Sequence, residues 1–129
     1  MKIVSDTNIL LAVALNEPEK QRIIEVTAGA EIVGPEIIPY EIGNALSAMV
    51  KRKRLTSDQA LSALLATRSI PIRLVSVDVA LALQLAADFG LYAYDAYFLH
   101  CALALNHPLL TLDARMKQIA TELNISILE

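Results

Sequence analysis

The fold is decided first by the stretch KIVSDTNILLAVALN, residues 2–16. Residues 2–5 predict a short strand, and residues 8–16 predict an apolar helix. Asp6 lies between the two elements, at the carboxyl end of the strand. In open parallel α/β sheets, ligands bind in the crevice beyond the carboxyl ends of the strands, so Asp6 is a candidate site residue.

The rest of the chain continues this alternation of short strands and helices. Further strands are predicted at 31–34, 72–75, 109–112 and 125–128. Further helices are predicted at 18–28, 37–53, 57–68, 77–89, 94–106 and 114–123. Pro18 suits a first helical turn, and Thr56 with Gln59 has the spacing of a capping box. Because leucine-rich or β-branched strands alternate with helices, we expect an α/β fold with a parallel sheet covered on both faces. No linker or repeat interrupts the chain, so we expect one domain, 1–129.

The composition is apolar for a chain of this length, since 55% of the 129 residues are hydrophobic and the mean hydropathy is +0.48. We expect both sheet faces to be covered and some apolar surface to be buried against a partner. No apolar run approaches the roughly 18–20 residues that cross a bilayer, so no membrane contact is expected. Asp6 precedes any signal-like segment, and the single cysteine, Cys101, forms no internal disulfide. The expected compartment is the cytoplasm.

The net charge of −3 and the isoelectric point of about 5.3 argue against a broad nucleic-acid surface. One block, residues 51–54 (KRKR), nevertheless supplies four of the eleven basic residues. Two interpretations are open: a solvated last helical turn that complements the helix dipole, or a contact to phosphates. We favour the first, because the protein as a whole is acidic and carries only this one basic block.

Four acidic residues lie in otherwise apolar stretches, where an isolated carboxylate is costly to desolvate. They are Asp6, Glu41, Asp95 and Asp113. Asp6 and Asp113 end predicted strands, and Asp95 falls in the first turn of a helix, so these three belong at one edge of the sheet. Glu41 has no basic residue three or four positions away, and we expect it to point into the same crevice. Taken singly, the aspartates could instead be helix caps or first-turn acids.

A shared cation is expected where four carboxylates meet. Two carboxylates about 4 Å apart repel by about 4 kcal/mol at an effective dielectric constant of 20. Oxygen ligands without clustered Cys and His favour Mg²⁺ or Mn²⁺, and His100, Cys101 and His107 lack the spacing of a zinc site. One or two ions are equally compatible with these residues.

A hard cation in such a crevice activates a water and neutralises charge on a phosphoryl oxygen. The expected reaction is therefore hydrolysis of a phosphodiester. The chain has no glycine-rich phosphate loop and no GxSxG motif, which argues against nucleotide-cofactor enzymes and serine hydrolases.

Four short motifs occur in the order and spacing typical of PIN-domain proteins. They are Asp6-Thr7-Asn8, Glu41 with Asn44, Tyr94-Asp95-Ala96 and Thr111-Leu112-Asp113. Over essentially its whole length the chain resembles the VapC-type toxins of bacterial and archaeal toxin–antitoxin pairs. The resemblance implies a three-layer α/β/α sandwich around a mainly parallel sheet, and Mg²⁺- or Mn²⁺-dependent endoribonuclease activity on RNA. It also implies that the four acids bind the metal and carry the catalysis.

The same resemblance points to polar residues that support the acids. Thr7 or Asn8 resembles the polar residue beside the first acid, and we favour Asn8. Asn44 resembles the polar residue one turn past the glutamate, and Thr111 resembles the small hydroxyl before the last aspartate. The alternatives are a helix-start residue for Asn8, a polar surface position for Asn44 and a strand residue for Thr111.

The resemblance further implies a homodimer and a cognate antitoxin. Some family members carry another acid just after the last aspartate, where this chain has Ala114 and Arg115; Arg115 is then free to approach a substrate phosphate. Tyr92, Tyr94 and Tyr97 could stack on bases, although core or dimer packing is favoured.

Two other functions stay open. One is a catalytically silent PIN-like binding module, and the other is a Mg²⁺-dependent phosphatase or DNA nuclease that uses the same acids. The presence of all four acids favours an enzyme, because a binding module gains nothing from mutually repelling charges.

Overall fold

The computed structural model describes residues 1–129 and contains a four-stranded parallel sheet with seven helices. The strands are β1 (Lys2–Ser5), β2 (Glu31–Pro35), β3 (Ile72–Val75) and β4 (Leu109–Leu110). The helices are α1 (Thr7–Ala14), α2 (Lys20–Thr27), α3 (Ile38–Lys51), α4 (Ser57–Arg68), α5 (Val79–Phe89), α6 (Ala93–Leu105) and α7 (Ala114–Glu122). The strand order is β3-β2-β1-β4, and every pair is parallel. The predicted α/β/α architecture is confirmed.

The central strand β1 shows why the sheet is covered on both faces. Successive side chains of a strand point to opposite faces. Ile3 packs with Ile9 and Ile23 in one apolar cluster, whereas Val4 packs with Phe98 and other residues in a second cluster. Both β1 residues are fully buried. β1 is therefore buried on both faces of the sheet, which agrees with the expectation from the apolar composition.

The predicted last strand, 125–128, is wrong. Its only pairing is an isolated parallel bridge between Leu109 and Ile127, flanked by the hydrogen bonds Leu109 N–Ser126 O and Leu128 N–Leu109 O. The neighbouring strand β4 is only two residues long, so it offers no longer ladder. It ends there because the chain turns at Thr111, whose Oγ1 accepts a hydrogen bond from the backbone N of Asp113.

The start of α3 is set by a close contact with β2. A Cβ atom at Gly34 would collide with Cδ1 of Ile38, so the glycine leaves the space that Ile38 occupies on the strand. Ile38 is the first residue of α3 and is almost fully buried. This contact holds the first turn of α3, which carries Glu41, near the carboxyl end of β2. None of the seven helices combines the length and the apolar character needed to cross a membrane.

Candidate active site

A cleft of about 350 Å³ lies at the carboxyl edge of the sheet. Its walls come from the residue that follows β1, from the first turns of α1 and α6, from the first two turns of α3 and from the N-cap residue of α7. The lining residues are Asp6, Thr7, Asn8, Ile37, Tyr40, Glu41, Asn44, Ala45, Tyr94, Asp95 and Asp113. All four predicted acids therefore meet in one cleft, together with the predicted Asn8 and Asn44.

Asp6 is the most buried of the four acids, with only 8% of its surface exposed. It occupies the N-cap position of α1 but makes no side-chain capping bond. Instead, its Oδ2 accepts a hydrogen bond of 2.8 Å from the hydroxyl of Thr111. Burial raises the pKa of Asp6; the Thr111 bond lowers it, and the charge of Asp95 raises it further. The predicted supporting residue Thr111 thus contacts the first acid directly.

Glu41 lies in the first turn of α3 and is half-buried. The hydroxyl of Thr7 donates a hydrogen bond of 2.9 Å to its Oε1. Burial raises the pKa of Glu41, the Thr7 bond opposes this shift, and the charges of Asp6 and Asp95 add to it. Of the two neighbours considered in the sequence, Thr7 makes this contact, whereas Asn8 only lines the cleft with an exposed side chain.

Asp95 and Asp113 complete the acidic wall from two other helices. Asp95 is half-buried in the first turn of α6, and its pKa is raised by burial and then by the charge of Asp113. No hydrogen bond to a protein donor offsets these causes. Asp113 is the N-cap of α7, where its Oδ1 accepts a bond of 3.0 Å from Met116 N. The capping alternative is therefore confirmed for Asp113, although the residue also lines the cleft.

The four carboxylates repel one another without a basic neighbour. The pKa of Glu41 responds to Asp6 and Asp95, that of Asp6 to Asp95, and that of Asp95 to Asp113. The two ion pairs of the structure involve other acids, Glu25 and Glu129. The carboxylate oxygens of the four cleft acids are the kind of ligand atom that hard divalent ions prefer. No three of these side chains are yet close enough together to hold an ion, so a cation would have to draw them inward.

Three tyrosines and one arginine add to this description of the cleft and its surroundings. Core packing is wrong for Tyr92 and Tyr94, which are 85% and 56% exposed. Tyr40, which none of the sequence motifs includes, lines the cleft and is 75% exposed; its position next to Glu41 is the only signal the sequence offers. Arg115 does not line the cleft, and its Nη2 donates a 2.8 Å bond to the carbonyl of Phe89 at the end of α5; an approach to a substrate phosphate stays a prediction.

The fold and the cleft together define an α/β/α domain with an acidic pocket at the carboxyl edge of a parallel sheet. The model of the PIN domain matches residues 3–122. The chain therefore belongs to the PIN domain family, which confirms the resemblance drawn from the four motifs. PIN domains are generally nucleases, and these nucleases usually use divalent metal ions.

Two solved structures are similar to this chain over almost their full length. VapBC2 from Rickettsia felis, bound to a DNA fragment from its promoter, has a TM-score of 0.69 and 19% identity, covering 98% of this chain and 97% of that one. PAE2754 from Pyrobaculum aerophilum has a TM-score of 0.70 and 21% identity, covering 96% of this chain and 90% of that one. No curated protein sequence matches. At these identities the likeness concerns the fold.

Proposed function

We propose that this protein is a metal-dependent endoribonuclease that hydrolyses RNA phosphodiester bonds. The observation that carries the proposal is the cleft in which Asp6, Glu41, Asp95 and Asp113 face one another without a basic partner. Uncompensated carboxylates in a half-buried cleft are destabilising unless a cation binds there. We propose that the four acids hold Mg²⁺ or Mn²⁺, and that residues 1–129 act as one PIN-like domain.

The chain's own residues have separable tasks in this proposal. Thr111 and Thr7 fix the orientation of Asp6 and Glu41, because each hydroxyl donates to one carboxylate oxygen. Asp95 accepts no protein hydrogen bond, so its oxygens are free to hold the attacking water and to take its proton. The chemistry supplied by a bound divalent ion is the activation of water and the neutralisation of charge on the phosphoryl oxygens.

Asn44 and Asn8 are proposed to contact the substrate or the water shell. Both line the cleft with exposed side chains and make no hydrogen bond through their side-chain amides. An amide donates and accepts hydrogen bonds without adding charge, so it can bind a phosphate oxygen or a ribose hydroxyl beside the acids. The threonines differ from Asn44 and Asn8 in contacting the acids directly.

We propose that the protein is the toxin of a toxin–antitoxin pair, with a cognate antitoxin and a second copy of itself as partners. Support comes from the VapBC2 fold likeness and from large apolar side chains left in solvent, among them Leu61 and Leu65 on α4 and Leu81 and Leu83 on α5. Exposed apolar side chains of this size favour a covering partner. The cytoplasm is the compartment we propose for the pair.

The test is Mg²⁺-dependent cleavage of a single-stranded RNA by the wild type, Asp6→Asn and Asp95→Asn. Both substitutions keep the side-chain volume and remove the charge, so we expect kcat/KM to fall by at least about a hundredfold. Asp78→Asn is the matched control, because Asp78 caps α5 outside the cleft and asparagine caps equally well. Circular dichroism checks the fold. Undiminished cleavage by Asp95→Asn contradicts the proposal, as does equal cleavage of DNA of the same sequence.

A further inference from the structure

A strongly charged surface lies at the turn between α3 and α4. It consists of Lys51, Arg52, Lys53 and Arg54, which we call the basic tip. All four side chains are exposed. None of them forms an ion pair, since the two ion pairs of the structure are Arg22–Glu25 and Lys117–Glu129. The largest concentration of positive charge on an acidic protein is therefore unneutralised.

The helix dipole accounts for only part of the basic tip. Lys51 is the only basic residue in the last turn of α3, and Arg52 is the residue that caps the helix. Lys53 follows with a left-handed backbone (φ 59), a conformation that glycine adopts more readily. The predicted last turn that complements the dipole is found at Lys51, with Arg52 at the cap, whereas Lys53 and Arg54 lie beyond the helix.

The backbone of the tip is fixed. Arg52 N, Lys53 N and Arg54 N donate to the carbonyls of Ala48, Val50 and Met49 at 3.0, 3.0 and 2.9 Å. These bonds close the end of α3 and hold the turn before α4 begins. The four charges are thus displayed on an ordered turn, so less conformational entropy is lost when they bind a ligand.

The basic tip is aligned with the acidic cleft along α3. Glu41 and Arg52 are eleven residues apart, which is close to three full turns, so they lie on the same helix face about 16 Å apart. The residues between them on this face are small: Asn44, Ala45 and Ala48. The helix carries no other acid between Glu41 and Arg52. No bulky or acidic side chain of α3 itself therefore separates the acidic cleft from the basic tip on this face.

We propose that the basic tip binds the sugar–phosphate backbone of a single-stranded RNA whose scissile phosphate lies in the acidic cleft. This proposal rests on the proposed ribonuclease function. An RNA approaching a protein of net charge −3 and a wall of carboxylates needs a cationic anchor, and the tip supplies one in line with the cleft. Contacts to phosphate position a strand without reading its sequence. An acidic segment of a protein partner would account for the charges but not for this alignment.

The binding experiment compares two double variants that remove the same charge. Arg52→Gln with Arg54→Gln changes the tip, and Arg68→Gln with Arg73→Gln removes two exposed arginines that do not line the cleft. Fluorescence anisotropy with a labelled, unstructured 12-nucleotide RNA is measured in EDTA over a range of salt concentrations. Loss of two single-strand phosphate contacts should make the negative slope of log K against log salt shallower by about 1.4. This change corresponds to roughly twentyfold weaker binding at 0.1 M salt. The control pair should bind as the wild type does.

The activity experiment separates anchoring from chemistry. A dinucleoside monophosphate has one phosphate, so it cannot occupy the cleft and the basic tip together. We expect the tip variant to raise KM for the 12-nucleotide RNA, with kcat unchanged, and to cleave the dinucleoside monophosphate as the wild type does. Arg52→Lys with Arg54→Lys keeps the charge and should recover most of the binding. An effect that depends on RNA sequence would contradict a backbone contact.

The outcomes distinguish this proposal from the proposed function. Normal RNA binding and salt dependence in the tip variant overturn the basic tip as an RNA anchor, even if the wild type cuts RNA. Conversely, loss of RNA binding in that variant supports the tip even if no cleavage occurs, in which case the proposed ribonuclease is wrong. If the variant loses binding to a 12-residue polyglutamate peptide but keeps RNA binding, the surface serves an acidic protein segment and the proposal fails.

Discussion

At the scale of single residues, two threonine hydroxyls hold the acids of the cleft. Thr111 donates to Asp6 and also accepts a bond from the backbone N of Asp113, so one hydroxyl connects two of the acids. The hydroxyl of Thr7 donates a hydrogen bond to the carboxylate of Glu41. A hydroxyl that donates to a carboxylate favours its charged form and so opposes the effect of burial on the pKa. The two hydroxyls thereby favour the charged carboxylates that a cation requires.

Replacing Thr111 with valine tests this role. Valine keeps the shape but removes the donor to the buried carboxylate of Asp6, so the pKa of Asp6 should rise further. We expect unfolding to be easier by about 1–3 kcal/mol at neutral pH, where the carboxylate is charged, and by less at pH 4. Urea unfolding at both pH values measures this. Thr111→Ser retains the hydroxyl and is the control; an equal loss for valine at both pH values would contradict the role.

The sequence predicted the four acids but only part of their surroundings. The ends of strands and the first turns of helices place Asp6, Asp95 and Asp113 at one edge, which local patterns reveal. The choice between Thr7 and Asn8 depends on where Glu41 lies in space, since adjacent helical residues point in different directions. The exposure of Tyr40 and the bond from Arg115 to Phe89 likewise depend on tertiary packing.

At the scale of elements, α4 begins with the capping box predicted from Thr56 and Gln59. The Thr56 hydroxyl accepts from Gln59 N at 3.1 Å, and the Gln59 side chain accepts from Thr56 N at 2.8 Å. Two backbone donors that the helix leaves unpaired are thus satisfied. Because the box directly follows Leu55 and the basic tip, it also fixes where the turn from α3 ends.

Thr56→Ala should weaken this start of α4. The substitution removes the acceptor of Gln59 N, and N-cap losses of this kind cost about 1 kcal/mol. Thermal and urea unfolding measure the change, and Thr56→Ser, which keeps the oxygen, is the control. If alanine and serine at this position give the same stability, the hydroxyl does not cap α4.

The helices were easier to predict than the strands for a physical reason. Seven helices occur near their predicted positions because caps and apolar periodicity are local signals. The predicted strands at 109–112 and 125–128 shrink to Leu109–Leu110 and a single bridge. A strand exists only through its partner, and the turn at Thr111 leaves little of β4 for the last segment to pair with.

At the scale of the whole molecule, the cleft carboxylates make stability depend on pH. The folded-state pKa values of Asp6, Glu41 and Asp95 are raised, in each case first by burial. The folded protein therefore holds these protons more tightly than the unfolded chain. The stability that they contribute is present below the ordinary values of 3.8 and 4.5 and is lost as the pH rises through the raised values.

Asp6→Asn should therefore stabilise the metal-free protein relative to the wild type. Because asparagine carries no proton to lose, the difference in the free energy of unfolding should grow from about pH 4 toward neutrality and then level off. Urea unfolding in EDTA across this range measures it. Mg²⁺ should reverse the order at neutral pH: at about one hundred times its dissociation constant it adds about 2.7 kcal/mol to the wild type, and less to a variant that lacks one ligand. Asp78→Asn should follow the wild type under both conditions, since Asp78 lies outside the cleft. A stability difference that does not change with pH would mean that burial does not raise the pKa of Asp6. Equal stabilisation of Asp6→Asn and wild type by Mg²⁺ would mean that the ion binds elsewhere.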